Sequence, residues 1–323
     1  MNNIKKILII TLLTVINSSL IYSQEEDNVE EVVVISSKIP VPLSEVVGSV
    51  TLITQDDLEA RVVSDLGDIL ENTVGVSVPR NSQYGRYYNE GISIRGLGGS
   101  RVNIFVDGVR VSDAYAGYGR DVVEVDLLKR VEILKGPTSA LYGSDGLAGA
   151  VSYVTKDASD FTESGFHYSA RYSHFSDSDQ EKYSFLSAYV GERVEGILQF
   201  TNKNSSEMNL HDDAVQNPNP VRSEGESILG KFTFDLNDNI DITFTLDSQE
   251  WTSDIVVLTD IGSTFYPGLS TLSTTSSSVG ADEGSRERIG LRVDFKGQNN
   301  LFDNGTFNLF SQSTDQQQIT NKM

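Results

Sequence analysis

An α+β domain seated inside a transmembrane antiparallel β-barrel is the fold class this sequence predicts, with seven strands present of the roughly 22 that such a filled barrel uses. Three observations predict it. After about residue 157, apolar and polar side chains alternate in runs of about ten residues, the length a tilted membrane strand needs. The connections between the runs alternate between shorter and longer. Between residues 46 and 156 the periodicity is mixed, helical in one stretch and strand-like in the rest.

Composition narrows the function classes first. The 323 residues include 13 Tyr, 14 Phe and 27 Gly against 22% charged residues, a balance that suits pleated, turn-rich structure. The formal net charge of −21 leaves no basic stripe for phosphates, so nucleic acid is excluded as a partner. The absence of Cys excludes disulfides and thiolate metal sites.

In chain order, Lys5 and Lys6 precede the apolar run Ile7 to Ile16, with small polar residues up to Ser23. That run is short of the roughly 20 residues a spanning helix needs, so residues 1–23 are expected to be a secretory signal peptide cleaved after Ser23. Residues 24–45 form a flexible segment. Gln24 to Glu31 carries five acids in eight residues, and then the β-branched strip Val32, Val33, Val34 and Ile35 begins abruptly. Such a strip on a leash can add itself to a partner's sheet edge, or it can be an ordinary first strand.

Residues 46–156 read as a compact domain. Thr54 with Asp57 is a capping-box-like helix start, and Ser64 starts a second helix with Leu66, Ile69, Leu70 and Val74 on one face and Gly75 at its end. Strands follow at Ile92–Arg95, Val102–Val106, Arg130–Leu134 and Ala150–Thr155, with Asp107-Gly108 as a tight-turn signal.

The resemblance that these segments carry is specific. EEVVVISSK, at residues 30–38, closely resembles the TonB box of TonB-dependent outer-membrane receptors. Ile92 to Arg110 (ISIRGLGGSRVNIFVDGVR) and Leu127 to Lys156 (LLKRVEILKGPTSALYGSDGLAGAVSYVTK) resemble the two signature stretches of that family's plug, in order. The resemblance implies an α+β plug domain inside a transmembrane antiparallel β-barrel, in the outer membrane of a Gram-negative bacterium. It implies that Glu31, Val32, Val33, Val34 and Ile35 contact a TonB-type periplasmic energy coupler. It also implies that Arg95, Arg130, Glu132 and Lys135 pair with charges on the barrel wall, where Lys135 replaces the more usual Arg and loses its bidentate fork.

Glycines 96, 98, 99, 136, 143, 146 and 149 are expected to allow tight turns and to let the domain lie flush against the enclosing wall. They do not form nucleotide sites. No Gly-Lys-Ser/Thr follows Gly143 to Gly149, and Gly96 to Arg101 opens no amphipathic helix.

Residues 157–323 are expected to be the N-terminal part of the barrel in a chain that continues further. Strands fall at about 166–175, 182–191, 194–203, 226–236, 240–251, 286–296 and 305–314. The longer connections, Asn204 to Gly225 and Thr252 to Ser285, should face outside, and the short ones the periplasm. Outer-membrane lipid is thus an expected partner, around a monomeric barrel.

A filled barrel blocks diffusion, so the resemblance implies active import rather than catalysis, with no permanently bound cofactor and no resident metal. The transported ligand implied is haem, free or from haemoproteins, with a ferric siderophore or cobalamin as the alternative. Haem needs His or Tyr donors. His167 and His174 read as strand residues, which leaves His211, in an outer connection. Aromatic and Arg clusters at Tyr84, Arg86, Tyr87 and Tyr88, and at Tyr115, Tyr118 and Arg120, are the candidate ligand contacts on the plug.

Overall fold

The computed structural model describes residues 32–33, 35, 41–46, 48–61, 63, 66–78, 80–81, 88–89, 92–111, 123–143, 145–209, 219–266, 271–296 and 304–323. Three short ladders occur early in the chain. β1 (Val32–Val33) pairs with β2 (Val41–Pro42), β4 (Val76–Ser77) with β7 (Ser93–Ile94), and β5 (Arg80–Asn81) with β6 (Tyr88–Asn89).

The inner domain is organised by a five-stranded mixed sheet. Its strands are β3 (Ser49–Ile53), β8 (Val102–Val106), β9 (Val109–Arg110), β10 (Leu128–Lys135) and β11 (Gly149–Thr155), in the spatial order β3-β10-β11-β8-β9. β10 is antiparallel to both neighbours, while β11 and β8 run parallel. β8 and β9 are joined by the Asp107-Gly108 turn, with φ of 47° and 78°, the left-handed geometry a two-residue hairpin demands.

The helices are short. α1 (Gln55–Ala60) starts at a reciprocal capping box in which Thr54 Oγ1 accepts from Asp57 N at 3.3 Å and Asp57 Oδ2 accepts from Thr54 N at 3.0 Å. α2 spans Leu66–Glu71 and α3 spans Ser139–Tyr142. Ile69 and Leu70 are buried as the helical spacing predicts, but Val74 is 86% exposed. The helix stops at Glu71, and Val74 belongs to the turn that Gly75, at φ 77°, completes.

Alternation along β10 gives the sheet two different faces. Val131 and Ile133 point into the main core with Ile69, Ile94, Ile104 and Val151. Leu134 points to the opposite face, where a smaller cluster gathers Ile35, Phe105 and Ala150.

Beyond Phe161 the chain forms one seven-stranded antiparallel sheet of consecutive hairpin-linked strands. It comprises β12 (Gly165–Phe175), β13 (Gln180–Val190), β14 (Val194–Ser206), β15 (Val221–Asn237), β16 (Ile240–Val256), β19 (Ser278–Lys296) and β20 (Asn304–Lys322). A separate hairpin, β17 (Gly262–Tyr266) with β18 (Thr271–Thr275), sits in the connection between β16 and β19.

The two faces of this sheet decide between a barrel wall and a soluble sandwich. Phe185 stands opposite Phe200, and Phe232 opposite Phe244, and all four are exposed. The buried face instead carries Lys182, Gln199, Lys231, Asp247, Arg286 and Arg288. Apolar outward and polar inward is the pattern of a strand between lipid and a filled lumen. A soluble sandwich would bury the aromatics.

Several strands are longer than the alternation predicts, and this corrects the loop assignments. β15 already begins at Val221, β16 runs on to Val256, β19 begins at Ser278 and β20 ends at Lys322. Much of the expected outer connection Thr252 to Ser285 is therefore strand, including β17 and β18. The extension Asp315 to Lys322 is polar apart from Ile319. Backbone pairing continues past the membrane, where the lipid that enforces apolar alternation is gone.

Candidate functional site

Two linked sites emerge: a cradle on the inner domain that holds the strip at Ile35, and a polar seam where that domain meets the wall. In the cradle, the Ile35 N–H donates to Glu132 Oε2 at 2.8 Å, and Tyr142 Oη–H donates to the Ile35 carbonyl at 2.8 Å. Ile35 is 2% exposed and Glu132 0%.

The parity of β10 explains the placement. Val131 and Ile133 take the core side, so Glu132 projects on the other side, into the cluster containing Ile35 and Phe105. Arg130 Nε supports the carboxylate at 2.8 Å. The Tyr142 ring lies 4.5 Å from that of Phe105. Burial, with the negative charge of Glu132 added, pushes the Tyr142 hydroxyl up to about 12, so at neutral pH it stays a donor.

The seam is built from acids of the inner domain and cations of the wall. Asp107, in the β8–β9 turn, accepts from Arg288 Nη2 at 2.7 Å, from Thr155 N at 2.9 Å and from Thr155 Oγ1 at 2.8 Å. Arg288 also donates to the Val106 carbonyl. Lys231 reaches Asp157 at 2.9 Å and the Thr155 carbonyl at 3.1 Å. One strand pair further along the wall, Lys182 reaches Asp126 at 3.0 Å, while Lys203 reaches Glu124 at 2.7 Å. Gln249 Oε1 accepts from Glu124 N at 3.0 Å.

Burial disfavours a charged Asp107, yet the nearby Lys231 and Arg288 and the two Thr155 hydrogen bonds outweigh that and hold its carboxyl well below the usual carboxylate range. Asp126 behaves alike. Burial opposes its ionisation, and Lys182 with the Ser184 hydroxyl overcomes it.

The residues that the resemblance assigns to wall pairing have other partners among the described residues. Arg130 and Glu132 pair with each other inside β10. Lys135 Nζ donates to the Val74 carbonyl at 2.8 Å, and Arg95 sits exposed in a turn at φ 53°, its N–H bonded to the Gly75 carbonyl. Among the described residues, the ion pairs to the wall run through Glu59, Asp107, Glu124, Asp126 and Asp157, with the charges reversed. A signal was present in the sequence. Lys182, Lys231 and Arg288 all occupy inward-facing positions of their strands, where a buried cation demands an acid opposite.

Two glycines also depart from their expected role. A side chain at Gly146 would strike Thr138 and Asn103, and one at Gly149 would strike the Leu134 carbonyl and Ile94. Both permit close packing within the inner domain rather than against the wall.

Of the other candidates, Val32 and Val33 lie in β1, while Glu31 and Val34 fall outside the described residues. Tyr84, Arg86, Tyr87, Tyr115, Tyr118, Arg120 and His211 also lie outside them, and of Tyr88 only its place in β6 is described. His167 stacks on Phe161 at 5.4 Å and His174 lies 4.0 Å from Asp179.

A sheet with lipid-type aromatics outside and a charged lining inside, ion-paired to a mixed-sheet domain, is the arrangement of a plug domain against part of a transmembrane β-barrel wall. Residues 42–150 match the family model described as TonB-dependent Receptor Plug Domain. It is 35% identical over 137 residues to a vitamin B12 transporter of Vibrio vulnificus, a match that covers 42% of this chain and 22% of that protein. In fold it is similar to the alcaligin outer-membrane receptor FauA of Bordetella pertussis (TM-score 0.55, 16% identity, 91% of this chain and 51% of the other). It is also similar to FpvA of Pseudomonas aeruginosa, solved with heterologous pyoverdines (TM-score 0.57, 10% identity, 90% and 45%). The chain thus spans about a fifth of the curated relative's length and about half of the structures it resembles.

Proposed function

We propose that the protein to which this chain belongs imports a metal-bearing ligand across the outer membrane, driven by a TonB-type periplasmic coupler that grips the segment Glu31–Ile35. The observation that carries this reading is the double hydrogen bond holding Ile35 to Glu132 and Tyr142. Net contributions are about 0.5–1.5 kcal/mol for a neutral hydrogen bond and about 1.5–3 for one to a charged group. The hold is therefore firm enough to keep the strip docked and weak enough for a partner strand to take it over. A pull on Ile35 acts directly on Glu132, in the central part of the plug sheet, and β10 would transmit it to the seam.

Haem is the cargo that EVDLLKRVEILKGP (residues 124–137) and LYGSDGLAGAVSYVTKDASDF (residues 141–161) suggest by resemblance. Cobalamin and ferric siderophores are the alternative, supported by the name of the Vibrio vulnificus relative and by those of the similar structures. Uptake by the full-length protein in cells lacking their own receptors, with haem, a ferric siderophore or cobalamin as the sole source, separates the three. Uptake that persists with residues 31–35 deleted would sink the energy-coupling reading, whichever cargo is carried.

A further inference from the structure

A cavity of about 250 Å³ lies between α1, the turn Val125–Leu127 and the first two wall strands, lined by Leu58, Glu59, Asp126, Lys156, Arg171 and Lys182. Its charges are not balanced. Lys182 is matched by Asp126 at 3.0 Å, and Arg171 lies 3.9 Å from Glu59. Lys156 is 7% exposed, and among the described residues its ammonium has no hydrogen bond or ion pair, only the Phe161 ring at 5.6 Å. Asp126, Glu59 and Asp160 act on this ammonium only at longer range, so its desolvation is not offset by a direct ion pair, and Lys156 stands immediately after β11, where an apolar side chain would pack without that cost.

We propose that this cavity binds a small oxyanion, a carboxylate or phosphate group, held by Lys156 from the plug and Arg171 from the wall. Size supports a small occupant. The space exceeds the roughly 30 Å³ share of one water, yet lies below the roughly 300–1,000 Å³ of pockets for drug-sized ligands. The occupant would add the direct pairing that Lys156 lacks and would tie α1 to β12 and β13, away from the Asp107 seam.

The test is calorimetric titration of the full-length protein, in buffer free of other oxyanions, with inorganic phosphate and separately with acetate. Saturable binding of either, with one site per chain, is expected. Lys156→Met should weaken it by about tenfold or more, the loss of one charge-assisted hydrogen bond. Lys156→Arg should retain it, and Arg222→Gln, an exposed cation elsewhere, should leave it unchanged. Native mass spectrometry adds a second arm: a retained phosphorylated lipid that Lys156→Met releases identifies a headgroup rather than the free ion as the source. No saturable binding and no retained lipid in the wild type, or equal occupancy of wild type and Lys156→Met, would overturn the proposal.

Discussion

Arg288 Nη2 lies 2.7 Å from Asp107 Oδ2, joining the sixth wall strand to the β8–β9 turn of the plug across 181 residues of sequence. The same guanidinium lies 3.2 Å from Asp247 on the neighbouring strand, so one wall cation is shared between a wall acid and a plug acid. The plug is thereby held at the tip of its tightest hairpin.

Asp107→Asn should loosen this hold. Losing one partner of a buried pair costs about 3–5 kcal/mol, and the 19% exposure of Asp107 places the expected loss at or below the lower end. Urea titration of plug release, followed by channel conductance in planar bilayers, should show a lowered midpoint. An unchanged midpoint would mean that the seam holds the plug elsewhere.

The same pair sets an acid limit. Because the folded-state pKa of Asp107 is depressed, its contribution is complete above the free carboxylate value near ~3.9 and is lost as pH falls toward the lower folded value. Plug retention should be level between neutral pH and about pH 5. It should fall only in stronger acid, and Asp107→Asn should flatten that fall.

Tyr142→Phe should free the strip at modest cost. It removes one hydrogen bond to Ile35, about 0.5–1.5 kcal/mol, and leaves Glu132 with Arg130. The chain has no Cys, so a single spin label on Ser36→Cys reports the change. Faster label motion in the Tyr142→Phe background, and tighter binding of the periplasmic coupler, are expected. Label motion equal to that of the parent would refute the latch.

Phe232→Arg, on the outer face opposite Phe244, should cost about 2–4 kcal/mol if it lies near the bilayer midplane. Asn308→Lys, inward by its register with Arg292, should cost much less. Refolding yield into lipid vesicles distinguishes them, and equal yields would argue against the assignment of faces.

Gly149→Val should destabilise the plug by about 1–3 kcal/mol through overpacking, since its side chain would meet the Leu134 carbonyl and Ile94. Thermal unfolding of the full-length protein measures it.

What was legible in the sequence follows from the range of each signal. The Asp107-Gly108 turn, the Thr54–Asp57 box and the alternation at Phe166–Tyr172 act between near neighbours, and all three appear as read. Strand ends beyond the membrane were not legible, because at Asp315–Lys322 the side chains are polar apart from Ile319, and backbone pairing leaves no periodic trace in side chains.

By itself, then, the sequence determined the fold class, the order of plug and wall, and the faces of the strands, since each depends on period, turn chemistry or short-range composition. Tertiary structure alone decided which charges meet. The parity of β10 turns Glu132 to the cradle of Ile35, 97 residues away. Asp107 reads in the sequence as a turn residue, and the wall brings Arg288 to it. Partners so distant in sequence are chosen by how the sheet packs against the wall, a property of no single segment.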